Sequence, residues 1–469
     1  MLVVWGVLIL GPHVTAAGPY SVDLAELTLC AWSGGVPHSP GYPLWTILAE
    51  LSLTVQPNTD PFHAIGRMGV LMACLASVLT RQCMRMLGSG VWASTAAASL
   101  LFVVPLNIRA FSIPEVHALD LLLLSGAMTA IVRGQQNEHH GWTGLGMVMA
   151  ILAIGHRPIN LILVLVVALG FRFEREQKRS MAAGLLAGIG AQTLLYWDLW
   201  SRIQNDTTQW VDEHALRTLE GFGRFVVGLP FEKFFLWTPS VPHHVIRPLE
   251  LGLQVTALIL AALAAPWSIR HKRLGWMMAV MAGWHLFFIS IYRVGDREFF
   301  IFPTLWVGVL SVGLSFQHIN RTLRVHTEKL FLVLVLALSV VNLRGLIKTG
   351  HGPWQTELET VLNSVPENSI LLTDDWKART GLIAMREIYG VGETVDVVRI
   401  SLEGGDIHRL VEWFDNLVPL LLLEERTEIS ELRPVRVHDG RLIPQLIEGG
   451  LITSPAEAGT WAVQATTPD

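Results

Sequence analysis

Apolar and polar positions along this chain fall in long blocks instead of the 3.6- or 2-residue periods of soluble elements. Apolar windows lie near 1–17, 64–84, 89–108, 113–132, 141–155, 158–171, 180–199, 247–268, 274–291, 299–317 and 329–347. About 20 apolar residues cross the hydrocarbon core of a bilayer as a helix, so the pattern predicts eleven transmembrane helices. The fifth and sixth are short and are separated only by Gly155-His156-Arg157-Pro158, which predicts a tilted or re-entrant pair. Beyond residue 348 the pattern changes. NSILLTDD is an apolar run ending in acids, VDVVRISL alternates, and LVPLLLLEE is a buried-strand candidate, with helical stretches between.

The fold class read from these blocks is mainly α: a polytopic membrane protein of about 11 transmembrane helices with a small C-terminal α/β domain outside the cytoplasm. The membrane domain is 1–347 and the C-terminal domain 348–469, with a loose tail after Ser454. Residues 1–17 read as an uncleaved first span in preference to a signal peptide, because the first Lys or Arg in the chain is Arg67.

Composition agrees with the blocks. The chain has 469 residues, 51% hydrophobic and 16% charged, with a mean hydropathy of +0.45. Soluble domains carry about 25% charged residues. A net charge of −5 argues against a nucleic-acid partner. Three cysteines, with Cys74 and Cys83 in one predicted helix, give no disulfide framework. Seventeen Trp suit long interfacial rims.

Charge sets the expected orientation. With the N-terminus inside, thirteen Lys and Arg fall in cytoplasmic loops, in dense runs such as FEREQKR and IRHKR, against ten on the other side. The C-terminal domain is then extracytoplasmic, and the compact size and the lack of glycosylation-rich loops favour a bacterial inner membrane. The unusual polar residues all sort to the outer side. Asp23, Glu26 and His38 occupy a first outer loop, 18–63; Arg109, Glu115 and His117 the second; His156 and Arg157 the third; Tyr292, Arg293, Asp296, Arg297 and Glu298 the fifth. The fourth outer loop, 200–246, interleaves aromatics with charges and predicts amphipathic helices on the membrane surface. Polar groups gathered at one rim suggest a cleft.

Asp23 and Glu26 stand three residues apart, on one helix face, directly before a Gly-Pro run holding His38. Such a pair suits proton transfer, or simply a helix start in the headgroup zone. Asp374-Asp375 has the look of a metal diacid and reads more simply as a turn or cap, so no metal is expected. No Walker loop, strand-borne GxGxxG, HExxH or cysteine cluster is present.

Asp23-Leu-Ala-Glu26 followed by Gly35-Val-Pro-His38-Ser-Pro40-Gly41-Tyr42-Pro43-Leu44 resembles the Asp-x-Gly-Glu … Gly-x-x-His-Pro-Pro-Gly-Tyr-Pro-Leu signature of the family long called domain of unknown function 2723. Glu115-Val-His117-Ala-Leu119 resembles its Glu-Val-Tyr-x-Leu segment, and Tyr292-x-x-x-Asp296 with Pro303 its Tyr-x-x-x-Asp segment. Leu24-Ala25, Ser39 and His117 depart from the pattern.

The resemblance implies the C-type glycosyltransferase fold. It also implies a polyprenyl-phosphate-linked sugar donor and a protein or glycan acceptor, as in the animal protein O-mannosyltransferase the family includes. No cofactor beyond the donor is implied. Asp23 is then the candidate base, with Glu26 as alternative base or acceptor guide, and direct displacement would invert the sugar. His38 binds donor or acceptor, or orders its turn. Arg293 or Arg297 clamps phosphate or joins a salt-bridge cluster with Asp296, while Tyr42, Tyr292 and Asp296 carry over from the family. Arg109 and Glu115 read as an ion pair beside His117, and His156-Arg157 is the remaining phosphate candidate. A transporter or flippase is the rival reading. It should place charges near the midplane on broken helices with internal repeats. A non-catalytic scaffold is the third reading.

Overall fold

The computed structural model describes residues 23–136, 139–205, 216–229, 235, 253–270, 272–292, 297–319, 321–347, 354–364, 370–373, 376–399, 434–437 and 461–462. It divides into two compact units, with borders between Leu29 and Cys30 and between His351 and Gly352.

The first unit is helical. After α1 (Leu24–Ser33), which straddles the first border, come α2 (Pro43–Val55), α3 (Pro61–Met86), α4 (Val91–Ser99), α5 (Pro105–Phe111) and α6 (His117–Gln136). Then follow α7 (Gly141–His156), α8 (Leu161–Gly170), α9 (Arg175–Gln204) and α10 (Leu219–Val226). The set closes with α11 (Leu253–Leu263), α12 (Ala265–Ser268), α13 (Lys272–Ile291), α14 (Phe302–Ser315) and α15 (Arg321–Ile347). Helices lie within ten of the apolar windows among the described residues, with 89–108 and 247–268 each broken in two; the window at 1–17 lies outside the described residues. Among the described residues, three helices are long and apolar enough to cross a bilayer: Pro61–Met86, Lys272–Ile291 and Phe299–His318. Together with the composition they mark an integral membrane protein.

The clearer of the two breaks is the first. The run 89–108 is not a single span: α4 passes into a short turn, Leu100–Phe102, and α5 starts afresh at Pro105. Proline has no N–H for an i→i−4 bond and is at home only in a first helical turn, so the helix stops and restarts there.

Helices α6, α7 and α9 pack side by side. Their approach is close because the contact residues are small. A Cβ on Gly184 would lie 2.1 Å from the carbonyl oxygen of Gly144. In a bilayer, where apolar burial drives little association, such backbone approach supplies dispersion contact.

The second unit holds α16 (Trp354–Ser364), α17 (Trp376–Tyr389) and four strands, β1 (Ile370–Thr373), β2 (Asp396–Arg399), β3 (Pro434–Val437) and β4 (Trp461–Ala462). Their order in the sheet is β2-β1-β3-β4. β1 pairs parallel with β2 (Ile370 opposite Asp396) and with β3, and β3 pairs antiparallel with β4. The strands expected in NSILLTDD and VDVVRISL are thus β1 and β2, joined through α17 as a parallel pair requires. LVPLLLLEE and Asp374-Asp375 lie outside the described residues.

Candidate active site

Asp23 and Glu26 occupy the start of α1, in the second unit. The Asp23 carbonyl accepts the first helical bond, from Leu27 N at 2.8 Å. Asp23 is half-buried and Glu26 is buried. The helix ends at Gly34, whose φ of +71° is the left-handed stop that favours glycine.

In the first unit the Gly-Pro run then folds tightly. Gly41 has φ +85° and Tyr42, at the head of α2, has φ +42°. A tyrosine in the left-handed region costs of the order of 1–3 kcal/mol and persists only where surrounding packing enforces it. That packing comes from α9 and α10. A Cβ on Gly41 would meet Leu199 Cδ2 at 2.4 Å and Phe225 Cε1 at 2.9 Å. The Ser39 hydroxyl donates to the Phe225 carbonyl. Phe225 is fully buried with Val36, Leu199, Ile203 and Leu216. The amphipathic helix α10 therefore clamps the turn that carries His38 and Tyr42.

Tyr42 points into a buried polar cluster. Its hydroxyl is 3.4 Å from His38 Nε2, and its ring stands edge-on to His156 at 5.5 Å between centroids. His156 Nε2 lies 2.9 Å from the Val116 carbonyl. A carbonyl only accepts, so Nε2 carries the proton and Nδ1 is left with its lone pair. From α2, Trp45 donates to the Glu115 carbonyl at 3.1 Å. Glu115 Oε2 approaches His117 Nε2 at 3.5 Å, too long and bent for a hydrogen bond, and the His117 ring packs on Phe299 and Phe302.

Arg157 lies at the centre of the cluster. Pro158 disfavours helical backbone in the residue before it. Arg157 accordingly turns extended (φ −143°, ψ 111°) and ends α7 at His156. Its side chain is only 5% exposed. The guanidinium lies 4.2 Å over the Phe300 ring and 3.9 Å from Asp120 Oδ2, and Phe300 in turn abuts Tyr292. Asp120 is held by Asn160 Nδ2 at 2.6 Å, and the same amide also donates to the Ala153 carbonyl at 3.0 Å. Arg157 Nε is buried with no hydrogen-bond partner among the described residues. Among the described residues, then, the guanidinium has one long ion pair and one aromatic ring, and its Nε–H is unpartnered. A buried cation in that state is set up to receive an anion.

The structure therefore gathers His38, Tyr42, Glu115, His117, His156, Arg157 and Tyr292 within the first unit. Arg109 sits on α5, and Arg297 on a short turn, Arg297–Ile301, but their side chains lie outside the described residues, as do Arg293 and Asp296 entirely. The expected Arg109–Glu115 pair therefore falls outside them too; among the described side chains His117 lies beside Glu115. Sequence reading passed over Asp120, Asn160 and His285. His285 is a lone polar residue in an apolar stretch, where an ionisable group is itself a signal of function, while Asp120 and Asn160 each stand three residues from a candidate already named, His117 and Arg157.

Comparison with known proteins places these features in a family context. Residues 23–180 match the model of the protein O-mannosyl-transferase TMEM260 N-terminal domain. Protein O-mannosyl-transferase TMEM260 of Mus musculus is 26% identical over 206 residues, covering 42% of this chain and 29% of that protein. The chain thus aligns with less than a third of the length of this relative. Apo ArnT from Cupriavidus metallidurans superposes with a TM-score of 0.64 at 13% identity, covering 98% of this chain and 96% of that one. The same protein bound to undecaprenyl phosphate gives 0.61 at 12% identity, covering 100% and 98%. Over residues 23–180, then, the chain is similar to the N-terminal domain of the protein O-mannosyl-transferase TMEM260, the family its sequence signature resembled, and it has the fold of ArnT.

Proposed function

We propose that this chain is an integral-membrane glycosyltransferase of the C type. It moves a sugar from a polyprenyl-phosphate-linked donor to an acceptor hydroxyl of a protein or glycan on the outer face of the membrane. The observation that carries this reading is Arg157: a buried guanidinium, next to His156 in the chain, whose Nε–H has no partner among the described residues. Similarity to an O-mannosyl-transferase and the fold shared with a protein solved with undecaprenyl phosphate support it.

In this reading the donor phosphate lies against Arg157, whose charge-assisted hydrogen bonds offset the negative charge that grows on the leaving phosphate. Asp23 takes the proton of the acceptor hydroxyl, with Glu26 as the alternative base or acceptor guide. The acceptor oxygen forms its bond to the anomeric carbon as the carbon–oxygen bond to phosphate breaks. The electron pair leaves with the phosphate, and the configuration inverts. Tyr42 and His38 line the same cluster.

The test is sugar transfer in proteoliposomes holding the full chain, a polyprenyl-phosphate donor with a labelled sugar, and acceptor peptides or glycans. Asp23→Asn should lower the rate by at least about a hundredfold. Full activity in that variant removes Asp23 as base, and loss in Glu26→Gln alone reassigns the role.

A further inference from the structure

His285 lies on α13 and is completely buried. Its Nδ1 is 2.9 Å from the Met281 carbonyl one helical turn back, so Nδ1 carries the proton. Nε2 is left as a bare acceptor, buried and without a hydrogen-bond partner among the described residues. His156 is in the same condition by the opposite tautomer: Nε2 donates to Val116, and Nδ1 is the unpartnered acceptor. The helix that carries His285 is joined to the turn that follows His156 and Arg157. Trp284, the residue beside His285, donates to the Ile159 carbonyl at 3.2 Å, which ties α13 to the turn just after Arg157.

Acceptors of this kind have a specific use. A phosphate offers oxygens and would repel a ring lone pair, so His156 Nδ1 and His285 Nε2 do not suit the group that suits Arg157. A hydroxyl offers a proton and suits them well. Buried acceptors left empty are unfavourable, and a ligand hydroxyl that fills one gains selectivity over a ligand that lacks it.

We propose that His285, together with His156, forms a hydroxyl-recognition subsite beside Arg157 that accepts hydrogen bonds from the sugar of the donor. The assignment rests on the glycosyltransferase reading, in which Arg157 takes the phosphate of the same molecule. His285 is then a specificity residue for the glycosylated lipid and contributes nothing to the bare lipid phosphate.

The experiment compares two probes on the full chain in nanodiscs: undecaprenyl phosphate, and undecaprenyl phosphate carrying mannose, glucose or galactose. The wild-type chain should prefer one glycosylated form. His285→Leu should cut that preference about tenfold and leave undecaprenyl phosphate binding unchanged. His285→Gln, which restores an acceptor near the Nε2 position, should recover part of it. A purely structural role would weaken both probes together and would not respond to the acceptor in Gln. A wild-type chain that binds both forms equally, or a Leu variant that keeps the preference, overturns the subsite while leaving the lipid-phosphate reading intact. Absence of binding to every probe overturns both.

Discussion

Arg157 and Asp120 are buried together with 3.9 Å between guanidinium and carboxylate, and Asp120 is fixed by Asn160 at 2.6 Å. The separation matters more than the pairing. Asp120 is near enough to neutralise the arginine and too far to take its hydrogen bonds. The guanidinium is supported on one face by Phe300, and its Nε–H has no partner among the described residues.

That geometry predicts an asymmetric response to mutation. Asp120→Ala leaves a buried cation without a counter-charge and should cost about 3–5 kcal/mol. The double variant Asp120→Asn, Arg157→Gln removes both charges and should recover most of the loss. Thermal unfolding in nanodiscs checks this; equal destabilisation by the single and double variants would show that the pair is not coupled.

The turn before α2 should be intolerant of a methyl group. Gly41→Ala puts a Cβ against Leu199 and Phe225 and asks alanine to hold φ +85°. Donor binding and transfer should fall by at least about tenfold, with a stability loss of about 1–3 kcal/mol. Phe225→Ala should share the functional defect, because it withdraws the same clamp. A Gly41→Ala chain with wild-type transfer would separate the turn from the site.

A third prediction concerns the start of α4. Glu328 on α15 is buried, accepts from Arg324 Nε at 2.8 Å, and reaches the Ala93 amide at 3.4 Å in the first turn of α4. It thereby satisfies a donor that the helix cannot satisfy itself. Glu328→Ala should lower stability by about 1–2 kcal/mol, and Glu328→Gln by less. Unfolding midpoints that rank Gln below Ala would contradict the capping role.

Much of this arrangement is legible in the sequence because bilayer length dictates it. Windows of about 20 apolar residues have few alternatives to a helix, so the positions of α3, α6, α13 and α14 follow from the chain alone. Ser99–Pro105 was misread because the apolar run around it outweighed one proline. His156-Arg157 was legible as a phosphate candidate, since charges between two short apolar runs are hard to place otherwise. Its setting was not legible: Asp120 lies 37 residues upstream of Arg157 and Phe300 143 downstream, and only helix packing brings them together. His285 and Asn160 stayed hidden for the same reason. A single polar residue in a span shows that something is unusual and not what it faces.

The central claim is that Arg157 receives the phosphate of a polyprenyl lipid. It is tested most directly by equilibrium binding of labelled undecaprenyl phosphate to the full chain in nanodiscs, comparing wild type with Arg157→Lys and Arg157→Gln, and with the Asp120→Asn, Arg157→Gln double variant as a folded control. Saturable binding by wild type should weaken in the lysine variant and fall at least about tenfold in both glutamine variants. Wild-type affinity in a folded chain that lacks the guanidinium would contradict the account.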